Sequence, residues 1–459
     1  MKHKIYRIVY TALCCAPLLA TAQTSEKITS PQRLYEEGRN LFQQKAFAAA
    51  MSPLHTFVKQ LNAEGNPLFA AGDKEEAEYM LVCAEYELRS PNSIELLRSY
   101  LDVYPDTPHA NRIYTLIASA YFFEGKYDEA LAMFNSARLD LLSNEERDDM
   151  TYRLATCFLK TGNVKEAAIW FETLRSTGSK YAADCTYYLS YIRYSQQRYE
   201  DALSGFLSLQ DNTKYKTLVP YYIAEIYLIK KNYDKAEIVA QNYLSAYPNQ
   251  KYTGEMYRIQ STADYHSGKY HEAAEAFNRY LKDNVESTRR RDALYMLGMS
   301  YYQTGVYSQV PVILGEVTTD NDALTQNAYL HMGLAYLQLA DRNKARMAFE
   351  QAAASDADQK IKEQASYNYA LCIHETSYSA FGESVTVFEH FLNEFPNSVY
   401  ADKVSNYLVE VYMNTRMSRK GYLGSQAENP VPIGNPILCQ YAVRTGNQLL
   451  QPKHCLRPI

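Results

Sequence analysis

The 459-residue sequence has one tryptophan, no apolar run long enough to cross a bilayer, no surplus of basic residues, and no histidines or cysteines at metal-ligand spacing. Each shortage excludes a class of function. A spanning helix needs about 20 consecutive apolar residues, so no integral membrane span is expected. Lys and Arg number 47 against 52 Asp and Glu, a net charge of −5 that opposes a nucleic-acid backbone. His271-Glu272 and His374-Glu375 lack a second histidine one helical turn on, so neither is a zinc-protease pair. Asp320-Asn321-Asp322 lacks the glycine and distal glutamate of a calcium loop and reads as a solvated turn. Gly125-Lys126-Tyr127 lacks the upstream glycine and following hydroxyl of a phosphate-cradling loop, and no serine stands at nucleophile-elbow spacing. No catalytic residue, metal or cofactor is therefore expected.

What is abundant is apolar and aromatic surface. Apolar residues make up 47% of the chain and charged ones 22%, ample for a buried core. The 43 tyrosines ask for many half-buried positions, because the ring is apolar while the hydroxyl needs water or a partner. Residues 1–22 read as a secretory signal peptide. Lys2, Lys4 and Arg7 give a basic start, Ile8 to Leu19 is mostly apolar, and Ala20-Thr21-Ala22 offers small residues for cleavage before Gln23. Leu13 before Cys14, and Cys14 before Cys15, do not suit lipid attachment, so a soluble exported form is expected. Cleavage removes three basic residues and no acid, leaving a net charge of −8. Export permits disulfides. Cys83, Cys157, Cys185 and Cys372 nevertheless sit in apolar helical patterns and are expected to pack as small hydrophobes, with Cys439 and Cys455 completing the set.

One phrase recurs down the chain. It is plainest as Ala118-Ser119-Ala120-Tyr121, then Gly125-Lys126-Tyr127-Asp128-Glu129-Ala130 and Phe134, and it returns around Asn232-Tyr233-Asp234-Lys235-Ala236 and Gly268-Lys269-Tyr270-His271-Glu272-Ala273 with Phe277. The equivalent positions Ala130, Ala167, Ala202, Ala236, Ala273, Val310, Ala345 and Ser384 lie 34 to 39 residues apart. That is the period of a solenoid whose units are helix pairs. In each unit a first helix carries apolar residues three and four apart, a short turn follows, and a second helix places a small residue at a close crossing and an aromatic four residues later. One pair cannot cover its own apolar face, so neighbours must stack.

The pattern resembles the tetratricopeptide-repeat (TPR) family: Gly298, Tyr301 and Val310, or Gly333, Tyr336 and Ala345, stand at that family's eighth, eleventh and twentieth places. The resemblance covers roughly Arg33 to Thr415 and implies an all-α fold, a right-handed superhelix or α-solenoid of about ten helix-turn-helix repeats. Val310 and Ser384 depart from the alanine and are expected to loosen their copies, and Asn62 to Asp73 reads as an insertion. Tyr104-Pro105, Tyr247-Pro248 and Phe395-Pro396 mark where second helices stop, since proline cannot continue a helix interior. These endings are similar to those of TPR proteins of the bacterial envelope, including lipoproteins that help assemble outer-membrane proteins. A last first helix is expected over Asp402 to Thr415. Residues 416–459, with six basic residues, one acid and five prolines, read as an irregular basic tail, either natural or produced by truncation of a longer chain, with truncation favoured because half a repeat leaves an apolar face uncovered.

The resemblance also implies a concave groove lined by the fifth, ninth and twelfth places of each first helix. Here those are Tyr152 and Leu159; Tyr187, Tyr191 and Tyr194; Tyr221, Glu225 and Leu228; Arg258 and Tyr265; Tyr295, Met299 and Tyr302. Tyrosine suits such a face because it gives wide contact area at low entropic cost. For any single ring the competing expectation is packing between adjacent first helices. No repeat combines lysine at the fifth place with asparagine at the ninth, which argues against a clamp for a chaperone's terminal carboxylate. The expected function is a non-catalytic protein-interaction scaffold, periplasmic or outer-membrane-associated, that binds envelope proteins or peptides on its concave face. The alternative is the sensor or docking region of a longer signalling protein whose effector domain lies outside this chain.

Overall fold

The computed structural model describes residues 30–64, 71–282, 287–376 and 382–422. The signal-peptide reading, most of the basic tail, Cys439 and Cys455 lie outside them. The described residues form 21 α-helices in consecutive pairs, consistent with a TPR superhelix, and they divide into two compact units, residues 1–185 and 186–459. The first unit holds α1 Pro31–Gln43 and α2 Phe47–Glu64, α3 Ala71–Glu87 and α4 Ser93–Val103, α5 Ala110–Phe123 and α6 Tyr127–Ser136, and α7 Asn144–Lys160 and α8 Val164–Ser176. α9 Ala182–Ser195 begins there and continues into the second unit, where it is followed by α10 Tyr199–Ser208. The second unit continues with α11 Val219–Ile229 and α12 Tyr233–Ala246, α13 Thr253–His266 and α14 Tyr270–Tyr280, and α15 Ser287–Gln303 and α16 Val310–Gly315. It ends with α17 Ala323–Gln338 and α18 Arg342–Ala354, α19 Gln359–Thr376 and α20 Gly382–Glu394, and then α21 Ala401–Tyr422. α21 runs on past Thr415 into the segment expected to be irregular.

The small residue of each second helix lies where the period places it. Ala130, Ala167, Ala202, Ala236, Ala273 and Ala345 have no exposed surface. Val310 is equally buried and Ser384 is 5% exposed, so these two departures do not open their units. Four residues on, Phe171, Phe206, Phe277, Phe349 and Phe388 are fully buried. A second close approach sits sixteen residues before each of these large side chains, on the first helix. A Cβ added to Gly333 would lie 2.5 Å from Phe349 Cε1, and one added to Gly38 would lie 2.5 Å from Leu54 Cγ. At the same place the other first helices carry Ala118, Ala155, Ser190, Ala224, Ser261 and Cys372, all buried.

Nine described turns join the two helices of a pair, and each contains one residue in the left-handed region. Gly125, Gly162, Gly268 and Gly305 fill it at no steric cost, whereas Lys45, Arg89, Gln197, Lys231 and Ala340 adopt it with a side chain. Second helices are then capped: the side chains of Asn163, Asn232 and Asp341 accept from the backbone N–H of Glu166, Lys235 and Lys344. α4 and α12 stop just before Tyr104-Pro105 and Tyr247-Pro248, and α20 before Phe395-Pro396. The acidic turn before α17 is more than solvated. Asp322 accepts from Thr325 N–H at 2.9 Å and takes two 2.7 Å bonds from the Arg291 guanidinium, which hold its carboxyl well below the usual carboxylate range.

Because Phe349 is fully enclosed and has nowhere to swing, Gly333→Ala is expected to destabilise the protein by about 1–3 kcal/mol, despite alanine's better helix propensity. A fall in the urea midpoint of the unit containing α17 and α18 checks this.

Candidate functional site

The first helices carry most of the tyrosines, and in five units one of their rings is pinned by an aromatic from the linker that follows the second helix. Tyr152 stacks on Tyr181 at 4.3 Å and 8°, Tyr187 on Tyr215 at 4.8 Å, Tyr221 on Tyr252 at 4.9 Å, and Tyr367 on Tyr400 at 4.2 Å. In α3 the same place is Tyr79, stacked on His109 at 3.8 Å, with His109 Nε2 2.7 Å from Glu76. In three linkers the ring is preceded by lysine, and Lys180, Lys214 and Lys251 each hold their ammonium 5.3 to 5.5 Å from the centre of the tyrosine that follows. Tyr152, Tyr187 and Tyr221 thus spend one face on packing within the array.

The second unit gathers the expected groove residues most closely. Tyr222 of α11 is the hub: its ring stacks on the buried Phe206 at 4.9 Å and meets the edges of Tyr187, Tyr191, Tyr194 and Tyr221 at 5.1 to 6.2 Å. The Tyr187 hydroxyl pairs with that of Tyr222; burial, then that pairing, push the Tyr187 pKa up. Tyr194 is raised by burial and then by the Glu225 carboxylate, and Tyr221 is raised to about 12 for the same two reasons. All of these rings are half-buried except Tyr191, which is 38% exposed.

Beside the rings runs a charged ladder across three successive first helices. Arg258 of α13 bonds Glu225 of α11 at 2.5 Å and Glu255 at 2.7 Å, and Arg289 of α15 reaches Glu255 at 3.0 Å. Burial disfavours the Arg258 charge, but the two carboxylates outweigh it and raise its pKa. Farther along, Tyr265 packs edge-on to Tyr270 at 5.6 Å, and Tyr302 meets Tyr307 and His331 at 5.6 and 5.5 Å. Tyr295 is half-buried, and burial followed by the neighbouring Tyr265 raises it to about 12. Met299 is only 7% exposed and belongs to the core, while Leu159 and Leu228 are half-buried. Tyr152 lies in the first unit, apart from this set.

The residues that sequence reasoning missed are Tyr222 and the linker rings Tyr181, Tyr215 and Tyr252. A signal for the linker rings was present in the Lys-Tyr dipeptides 180–181, 214–215 and 251–252, which recur just ahead of a first helix. Among the described residues no group of three or more potential ligands could hold a metal, and no helix is long and apolar enough to cross a membrane. The four described cysteines are free and at most 5% exposed, and burial raises the thiols of Cys83, Cys157 and Cys185 to about 12 and that of Cys372 to about 11. They are packing residues rather than nucleophiles.

Removing only the hydroxyl that Tyr187 bonds to, by Tyr222→Phe, is expected to cost about 1 kcal/mol, whereas Tyr222→Ala removes the hub and costs about 2–4 kcal/mol. Chemical denaturation of the two variants side by side tests that ranking.

Residues 115–182 and 260–308, and separately 326–359, match family models described as the tetratricopeptide repeat. The chain is similar to a solved tetratricopeptide repeat protein from Parabacteroides merdae at 17% identity, over 57% of this chain and 99% of that one, with a TM-score of 0.37. It is similar to the C-terminal part of a TPR repeat-containing protein from Cytophaga hutchinsonii at 15% identity, over 63% and 98% of the two chains, with a TM-score of 0.37. The TPR domain of P58(IPK) is similar at 15% identity, over 76% and 99%, with a TM-score of 0.26. None of these likenesses bears on function. No curated protein matches the chain. Successive helix pairs, with the repeat matched in both compact units, show that this chain carries tetratricopeptide repeats.

Proposed function

We propose that the chain is a non-catalytic scaffold that holds a protein or peptide against the first-helix tyrosines of its second unit. One observation carries the reading: Tyr191 alone among the expected groove residues is exposed, and it stands on a platform of rings already fixed by one another. A preorganised ring loses little entropy when a partner covers it. The neighbouring Glu225–Arg258–Glu255–Arg289 ladder sets two carboxylates against two guanidiniums, so it would contribute polar edges rather than a strong field. The basic, apolar and small-residue blocks of residues 1–22, together with the aromatic-proline helix endings, support work in a bacterial envelope.

A photo-crosslinking residue placed at Tyr191 is expected to capture a partner in cells, and one placed at Ile238, more exposed but on the second helix α12, is not. Tyr191→Ala should weaken the captured complex by about tenfold or more with the fold unchanged. Equal capture from both positions would remove the first-helix face from consideration.

Export is tested separately by mass spectrometry of the protein made in a bacterial host. The expected product begins at Gln23. A product retained in the cytoplasm with residues 1–22 intact would overturn the envelope reading and leave the binding face untouched.

A further inference from the structure

Asp264 of α13 has no exposed surface, and neither of its carboxylate oxygens accepts a hydrogen bond. A buried charge in that state is unstable by several kcal/mol, so its surroundings decide what form it takes. From α12, Glu237 lies close enough to hydrogen-bond with Asp264, and Asp234 acts on the same corner. From the turn before α14 comes Lys269, and from the first turn of α14 itself Glu272. The Lys269 ammonium is 2.6 Å from Glu237, so that cation is engaged there, while Lys231 acts on His266, two residues on. The charges that α11 and α15 bring to α13, Glu225 and Arg289, are taken up by Arg258 and Glu255, in the part of α13 before Asp264. α15 also presents Tyr295 to Tyr265, and His266 of α13 stacks on Tyr233 at 5.0 Å.

Two ionised carboxylates offer only acceptors and cannot satisfy each other. A single proton between them satisfies Asp264, which donates to Glu237, itself already an acceptor from Lys269 and Gln241; paired acids behave so when their charges cannot be hydrated. We propose that Asp264 and Glu237 share one proton, and that this carboxyl pair locks α12 to α13, the seam between two successive repeats, and loosens it when the proton is lost.

The electrostatics set the range. Burial, then the charge of Glu237, lift Asp264 to about 7. Its folded value therefore lies above its ordinary one, so the stabilisation is complete at acid pH. It begins to fade as pH rises past the ordinary carboxylate range near 4, and it is gone once pH exceeds about 7. The same α13 carries Arg258 and Tyr265 of the first-helix face, so the seam supports part of that face from behind.

Hydrogen exchange followed by mass spectrometry on the full chain, with wild type and variants compared at the same pH, reads the opening of α12 to α14. Between pH 5 and pH 8, opening in wild type is expected to rise on the order of 10–100-fold more than in Asp264→Asn, which has no proton to lose. Glu237→Gln gives Asp264 an amide donor in place of the shared proton and should shift the wild-type transition to lower pH. Infrared spectroscopy of wild type should show a protonated carboxyl band at pH 6 that disappears by pH 8 and is missing in Asp264→Asn. If wild type and Asp264→Asn share one pH profile, or Glu237→Gln leaves the midpoint in place, or wild type shows no protonated carboxyl at pH 6, the shared proton is excluded. The infrared reading on wild type decides the matter even if a variant fails to fold.

Discussion

The helix pairs depend on one close crossing, in which a small first-helix residue lies under a large apolar group sixteen residues later, except in α11 and α12, where the two positions are Ala224 and Ala240. Gly333 under Phe349 and Gly38 under Leu54 show how little space remains. Interiors packed to crystal density do not absorb an extra methyl there without moving a neighbour. Once the crossing is fixed, the turn between the helices has little freedom, and a left-handed residue recurs in all nine described turns even where the side chain is Lys, Gln or Ala. The strain accepted at Lys231 and Ala340 is set by the crossing rather than by local preference.

That constraint also explains which parts of the fold were legible in the sequence. The small residues and large side chains repeat at a near-constant interval because the crossing repeats, so the period, the pairing and the helix ends at Tyr104-Pro105 and Tyr247-Pro248 could be read directly. Val310 shows the limit of matching residue types. It departs from alanine, yet it is fully buried beside Leu314, because a smaller partner four residues on leaves room for a larger residue at the crossing. Volume is conserved across the pair even though neither residue follows the pattern.

The candidate site was legible in composition and less so in detail. Reading the fifth, ninth and twelfth places found Tyr187, Tyr191, Tyr194 and Tyr221, but not the rings that hold them. Tyr181, Tyr215, Tyr252 and Tyr400 come from linkers of varying length, so each stack spans a different number of residues and no fixed register exposes it. Tyr222 escaped for another reason. It sits beside Tyr221 on the same helix and points toward Phe206, a direction that helical spacing alone assigns to packing. The Asp264–Glu237 contact was invisible because it joins two repeats through residues whose usual place is at a wet surface.

The abundance of tyrosine follows from these two layers of duty. A phenylalanine could stack on a linker ring as well, but its edge would offer nothing to water or to Glu225. Tyrosine packs one face, places a hydroxyl at the rim, and lets Tyr187 bond to Tyr222 within the cluster. The rings that fix the spacing of successive pairs are therefore chemically the same as the exposed ring of Tyr191. What separates Tyr187 and Tyr221 from it is the linker ring on which each is stacked. A face built this way can change its exposed tyrosines without disturbing its spacing only where no linker aromatic is engaged, and within the second unit's ring cluster Tyr191 meets that condition while Tyr187 and Tyr221 do not.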